Sequence, residues 1–294
     1  MNTPLIYILV LNYKGVTDTE ECIDALIKTQ YDNYKIVLID NDSQDGSEER
    51  LREKYEKMGI TILQTGSNLG YAKANNIGIR LSLEAGAKYT CILNNDVIVP
   101  ADCLSKMVES MENNSNIAME GPMILDYKED IVQSTGAMIN FKKGECVLNN
   151  FRKDLSEINR EEIVCDYVEG ACLLVRNSII PSIGFIPEDY FLFFEETEWC
   201  WKCKLKNYDV VCNTYAWVRH KGSASMENIV GIKEYYLNRN RVLFEKRNAT
   251  VLQKICFLLY LTVQTLYRIS FKKYSTKMIQ HYIKGWTGRN QNQI

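Results

Sequence analysis

Apolar positions in the first hundred residues alternate between two textures. Continuous runs such as YILVLNYKG (7–15) and KIVLIDNDSQDGS (35–47) end in polar residues and glycine, the signature of a buried parallel strand and its exit loop. Between them, TDTEECIDALIKT sets Cys22, Ile23, Leu26 and Ile27 on one helical stripe, and Thr17 with Glu20 predicts a capping box at its start. Ser47 is the expected cap of a second helix carrying Leu51, Tyr55 and Met58. ITILQT (60–65) reads as a third strand, a helix follows GSNLGYAKAN to about Ala85, and YTCILNN is a fourth strand. This alternation predicts an α/β fold, a Rossmann-like, mostly parallel sheet with helices on both faces.

Each apolar strand finishes in carboxamides or carboxylates: Asn12-Tyr13, Asp40-Asn41-Asp42, Asn68, and Asn94 to Asp96. Such residues also favour turns, and Asp42 and Asp45 read that way. Four polar strand exits on one rim instead describe a crevice, since ligands of open α/β sheets sit beyond the carboxyl ends. No GxGxxG follows the first strand and no GxxxxGK[ST] occurs anywhere, which disfavours a dinucleotide oxidoreductase and a phosphate-loop NTPase. Phosphates bound here would need another counter-charge, and a divalent cation held by a carboxylate suffices.

Charge adds one asymmetry. The 294 residues carry a net −2, which argues against nucleic acid as the main partner. Residues 246–294 contain nine Lys and Arg and no acid, leaving −11 on residues 1–245. MNTPLIYILV reads as the first core strand and not as a signal peptide, so a reducing cytoplasm is expected for the ten cysteines. Cys200 and Cys203 have metal spacing but no second pair, and are expected on a packed helix face.

Seven motifs in order resemble those of the family-2 glycosyltransferases, enzymes of GT-A fold, and most closely the rhamnosyltransferase-like branch that builds bacterial surface polysaccharides. They are LNYKG, DNDSQDGS, NLGYAKANNIGI, LNNDVIV, EDYFLFFEETEWCWK, HKGSAS and YYLNRN, and they span nearly the whole chain. Two positions depart from the family pattern. Asn94 leads the metal motif, and Glu196 stands where the family has aspartate.

The resemblance implies an inverting transferase using a nucleotide-sugar donor, dTDP-L-rhamnose or a UDP-sugar, and Mg²⁺ or Mn²⁺. Asp96 would hold the ion with Asn94, and His220 is either a further ligand or a histidine bonded to backbone. Glu196 is the expected general base and Glu195 the alternative, while Glu198 orients a neighbour; burial and clustering would raise their pKa values. Asp40 would accept from the base, the backbone of Asn12 and Tyr13 would read its carbonyls, Asn68 and the Asn75-Asn76 pair would either brace the nucleotide pocket or contact the ribose, and Asn95 would line that pocket. Gly170 would bring backbone to the donor sugar, and Arg239 would meet either phosphate or an acid. The implied acceptor is a glycan or a polyprenyl-linked glycan.

The expected organisation is a catalytic domain over 1–245, with a nucleotide-binding half (1–100) and an acceptor half (101–245), and a basic helical tail over 246–294. Within the tail, ICFLLYLTVQTLY (255–267) is thirteen residues long, short of the about twenty needed to span a bilayer. Arg268, Lys272, Lys273, Lys277, Lys284 and Arg289 follow, interleaved with Tyr267, Tyr274, Tyr282 and Trp286. Apolar helix, basic flank and aromatic rings together predict peripheral attachment to the cytoplasmic membrane surface.

Overall fold

A computed structural model describes residues 3–222, 231–271 and 277–289. Ser223, Ala224 and Ser225 of HKGSAS and the tail residues Lys272, Lys273 and Tyr274 lie outside the described residues, as does the side chain of Lys277. The first half runs β1 (Ile6–Asn12), α1 (Val16–Leu26), β2 (Tyr34–Asp40), α2 (Ser47–Tyr55), β3 (Thr61–Gln64), α3 (Gly70–Glu84), β4 (Tyr89–Asn94) and β5 (Val97–Ile98). The second half adds α4 (Cys103–Asn113), β6 (Ile117–Asp126), β7 (Val132–Ser134), β8 (Ala137–Asn140), β9 (Glu145–Leu148), β10 (Glu162–Cys165), β11 (Cys172–Arg176), α5 (Ile180–Ile183), α6 (Glu195–Leu205) and β12 (Asp209–His220). Three helices close the chain: α7 (Ile232–Asn248), α8 (Val251–Ser270) and α9 (Lys277–Thr287).

The main sheet has the order β10-β12-β6-β11-β4-β1-β2-β3. Its β3-β2-β1-β4 half is parallel; β11 then enters antiparallel between β4 and β6. Strand runs are continuously apolar because both faces are covered. Ile6, Ile8 and Val10 pack into one core, while Leu9 faces the other with Val37 and Ile39. The register places Asn12 beside Asp40 and Leu11 beside Asn94, so the polar strand ends share one rim.

Both predicted helix caps are corrected. Gly15 and Gly46 are the N-cap residues of α1 and α2, and neither helix has a side-chain cap. Glu20 is drawn instead onto Arg50, with both of its oxygens at 2.7 Å. Gly15 is needed because a Cβ there would lie 2.6 Å from Asn95 Nδ2. Ser47 lies inside α2 and donates its N–H to Asp45 Oδ1, a turn contact just ahead of the helix. The expected boundary at 245 falls within α7, a single unbroken helix. Along it packs α9, so closely that a Cβ on Gly285 would meet the Arg239 carbonyl oxygen at 2.2 Å.

Candidate active site

At the β1–β2 end of the rim the loops are stitched by side-chain amides. Asn12 donates to Asp40 Oδ2 at 2.7 Å and to Ser43 Oγ, and accepts from Thr19 Oγ1. Asn95 donates to Thr19 Oγ1 and to the Gly15 carbonyl. Asn41 donates to Asn68 Oδ1, which also accepts from the Gly70 N–H. Tyr13 stays half-buried at the loop, with the Lys14 ammonium 5.2 Å from its ring centre.

Three expected ligand contacts are redirected by the structure. Asp40 is 0% exposed, and its oxygens already accept from Asn12, Gln64 and both the N–H and O–H of Ser43. With every lone pair supplied by its own loops, it anchors them and leaves no open acceptor for a base. Asn76 braces the segment before α6, donating to the Ile186 carbonyl and accepting from the Ile186 N–H. Arg239, also 0% exposed, is held by its own chain. It donates to the backbone carbonyls of Asp189, Gly288 and Arg289 and to Asn240 Oδ1.

The next station is built by β5 and the end of β12, which pair at Val97 and His220. His220 Nδ1 lies 3.1 Å from Gln133 Oε1, an acceptor, so Nδ1 carries a hydrogen, and Nε2 offers a lone pair when the ring is neutral. That Nε2 sits 3.3 Å from Asp96 Oδ1, yet neither atom makes a directed hydrogen bond. A buried carboxylate oxygen and an imidazole nitrogen converging in this way are ligand types for a shared cation, and form a direct ion pair when His220 is protonated. Among the described residues no group of three or more His, Cys, Asp and Glu forms a metal cluster, so further ligands would come from elsewhere, such as diphosphate oxygens. Burial depresses the His220 pKa, but the Asp96 and Glu169 carboxylates outweigh it and the net shift is upward.

Beyond lies a cavity of about 980 Å³, into which Asn94, Gly170, Glu195, Glu196 and His220 all project. One oxygen of Glu195 and one of Glu196 are buried without a partner. Burial raises both carboxyls, and the Glu196 charge raises Glu195 further. The Gly170 and Thr197 N–H groups partly hold Glu196 in its ionised form. At Gly170 a Cβ would overlap the Tyr71 hydroxyl at 2.5 Å; Tyr71 donates instead to the Gly170 carbonyl at 2.9 Å. Glu198 turns away and accepts from Tyr190 and Asn248.

The loop carrying these acids is strained. Phe191, Phe193 and Phe194 have φ of 67°, 67° and 74°, in the left-handed region that bulky residues avoid. A single amide over-determines it: Asn240 Nδ2 donates to the carbonyls of Tyr190, Leu192 and Phe193 at 3.1, 2.7 and 2.8 Å. Sequence reasoning missed Asn240, Tyr71 and Glu169. Glu169 lines the cavity, and burial, with Glu196 adding to it and His220 opposing, pushes its pKa up to about 7. Its signal was an acid set within the apolar run of VEGACLLV. Cys200 and Cys203 are buried thiols, Cys200 packing 3.6 Å from Met119 sulfur, as expected of a helix face.

A family model described as "Glycosyl transferase family 2" matches residues 7–180, more than half of the chain. The chain belongs to glycosyl transferase family 2. Three relatives of this family-2 chain are each 24% identical to it. A dTDP-rhamnosyl transferase of Shigella flexneri aligns over 95% of the chain and 93% of its own length. An N-acetylglucosaminyl-diphospho-decaprenol L-rhamnosyltransferase of Mycobacterium tuberculosis aligns over 67% and 69%. A low-salt glycan biosynthesis hexosyltransferase of Haloferax volcanii aligns over 69% of this chain, which spans only 62% of that protein.

Solved structures show the same GT-A fold. GalNAc-T7 with UDP, GalNAc and Mn²⁺ superposes with a TM-score of 0.63 at 14% identity, over 92% of this chain and 58% of its own. A mannosyltransferase from Pyrobaculum calidifontis with GDP-Man and Mn²⁺ gives 0.59 at 12% identity, over 98% and 87%.

Proposed function

We propose that this transferase is an inverting, divalent-cation-dependent enzyme of surface polysaccharide synthesis. It moves a sugar, L-rhamnose from dTDP-L-rhamnose first among candidates, onto a glycan or polyprenyl-linked acceptor. The observation that carries the reading is the partnerless oxygen of Glu196, a residue of the cavity lining that Asn94 and His220 share. Glu196 takes the proton of the acceptor hydroxyl while that oxygen attacks the anomeric carbon and the bond to the diphosphate breaks, inverting the centre. Glu195, kept protonated beside it, holds the pair to one negative charge. Asp96, His220 and Asn94 would hold Mg²⁺ or Mn²⁺, which supplies Lewis-acid compensation for the charge on the departing diphosphate. Tyr13 and the backbone of its loop remain the candidates for reading the base.

The rhamnosyl transferase that aligns with nearly the whole chain supports the donor. A UDP-sugar (GlcNAc, galactose or galactofuranose) is the second reading, supported by the UDP bound to GalNAc-T7. The partnerless carboxylates argue against a silent sugar-nucleotide-binding module. For localisation we propose peripheral docking on the cytoplasmic membrane face through α8. No helix among the described residues is long and apolar enough to cross a membrane. Yet α8 leaves Leu252, Ile255, Leu259, Val263 and Leu266 exposed on one stripe, Val263 at 68%. A panel of nucleotide sugars, assayed with Mn²⁺ for release of nucleoside diphosphate, tests the reading; release from none of them would sink it.

A further inference from the structure

Glu196 stands in the first turn of α6, so its aim depends on two supports: the loop ahead of the helix and the wall its side chain rests against. Asn240 holds the loop from the α7 side. The wall is Gly170. Tyr71, at the start of α3, touches both supports. Its N–H donates to the Phe191 carbonyl at 2.9 Å, within the strained loop. Its hydroxyl donates to the Gly170 carbonyl at 2.9 Å, across 99 positions of sequence.

The hydroxyl contact lies close to the base. A Cβ on Gly170 would sit 2.5 Å from the Tyr71 hydroxyl oxygen and 3.6 Å from Glu196 Cγ. Phenol and glutamate stem therefore converge on the space that the absent side chain leaves. Gly170 also gives its N–H to the Glu196 carboxylate, so its N–H and its C=O are both engaged. Glycine backbone turns at little cost, and a turn here would carry the N–H away from the carboxylate. The phenol opposes that turn. Burial, with the charges of Glu196 and Glu195 adding to it, raises the Tyr71 pKa well above its ordinary value, so the hydroxyl keeps the hydrogen it donates. Tyr71 is itself braced: Asn75 Nδ2 donates to its carbonyl at 3.0 Å, and Asn68 Oδ1 accepts from the N–H of Gly70 just before it.

We infer that Tyr71 is a positioning residue for the base: its hydroxyl fixes Gly170, and through Gly170 it fixes the Glu196 carboxylate. The inference rests on the transferase reading above, in which Glu196 takes the acceptor proton, and the two can fail separately.

Tyr71→Phe removes one oxygen and keeps the ring. Assayed with the donor that the nucleotide-sugar panel selects, its kcat should fall by about tenfold, while the donor KM changes by less than about twofold. Affinity for nucleoside diphosphate with Mn²⁺, measured in the same sample, reports that the variant is folded. In a Glu196→Gln background the same change should cost less than about twofold more, because no base is left to aim. A second tenfold loss there, or an unchanged kcat in Tyr71→Phe alone, overturns the inference. So does a raised donor KM at constant kcat, which would make the phenol a contact to the sugar. Crystal structures of the wild type and Tyr71→Phe give a readout that needs no turnover. The Glu196 carboxylate should leave its wild-type position in the variant, and a carboxylate that superposes on the wild type overturns the inference. A wild type that releases nucleoside diphosphate from no nucleotide sugar would instead remove the transferase reading, and the crystal comparison would still decide whether Tyr71 positions Glu196.

Discussion

The amide of Asn240 holds the Phe193 carbonyl at 2.8 Å, two residues before Glu195, across 47 positions of sequence. The same nitrogen also takes the carbonyls of Tyr190 and Leu192, so one side chain fixes a loop whose three phenylalanines have positive φ. That clamp sets where Glu196 points. Asn240→Ala should lower stability by about 1–3 kcal/mol, because buried carbonyls lose their donor. Turnover should fall by roughly 10²-fold, while the dissociation constant for nucleoside diphosphate changes far less. Equal losses in kcat and nucleotide affinity would assign Asn240 to the fold alone.

At the other end of the cavity, Asp96 and His220 should act as one cation site. Asp96→Ala and His220→Ala should each weaken Mn²⁺ binding, measured directly by titration in the presence of nucleoside diphosphate, and excess chelator should silence the wild type. Full transfer in chelator would show that the two side chains meet for another reason.

Asp40 offers a test of anchor against reader. As the acceptor of four loop donors it should, when changed to Ala, lower the melting temperature together with nucleotide affinity. If affinity falls by 1–3 kcal/mol with no change in melting temperature, the carboxylate reads the base after all, since about that much is lost when a buried donor goes unpaired.

Membrane docking is best tested on the exposed stripe itself. Removing everything after Asn248 would also remove the Gly288 and Arg289 carbonyls that Arg239 holds, and so would damage α7. Leu259→Ser with Val263→Ser alters only side chains that are 64% and 68% exposed. The double variant should keep its melting temperature and lose flotation with phosphatidylglycerol vesicles at low salt. Unchanged flotation would leave the stripe for a protein partner.

What the sequence reveals follows from the range of the interactions concerned. Strand runs and their polar exits are local, so Asn12, Asn94 and Asp96 fall on the predicted rim once β1 pairs with β2 and β4. The family's acidic pair is equally legible, and both acids line the cavity. Helix caps misled because Gly15 and Gly46 owe their positions to the crowding Asn95 side chain and a left-handed φ, which a Thr-x-x-Glu pattern does not report. Arg239 and Asn240 sit side by side in YYLNRN, yet their partners lie about fifty residues away in both directions. No local pattern encodes such a contact, and from sequence Arg239 reads equally as a phosphate ligand or an ion-pair partner until its carbonyls are found.

The central claim is that Glu196 removes the acceptor proton, and Glu196→Gln tests it most directly. The substitution keeps shape and burial while abolishing proton affinity. Because burial raises the Glu196 and Glu195 carboxyls, the wild-type rate should still be climbing with pH above the ordinary carboxylate range, as the ionised base accumulates. In Glu196→Gln the rate of transfer from dTDP-L-rhamnose, or from whichever donor the panel selects, should drop by roughly 10²-fold or more, lose that pH dependence, and leave nucleotide binding nearly intact. A Glu196→Gln enzyme that transfers at the wild-type rate, with the same pH profile, would contradict the account.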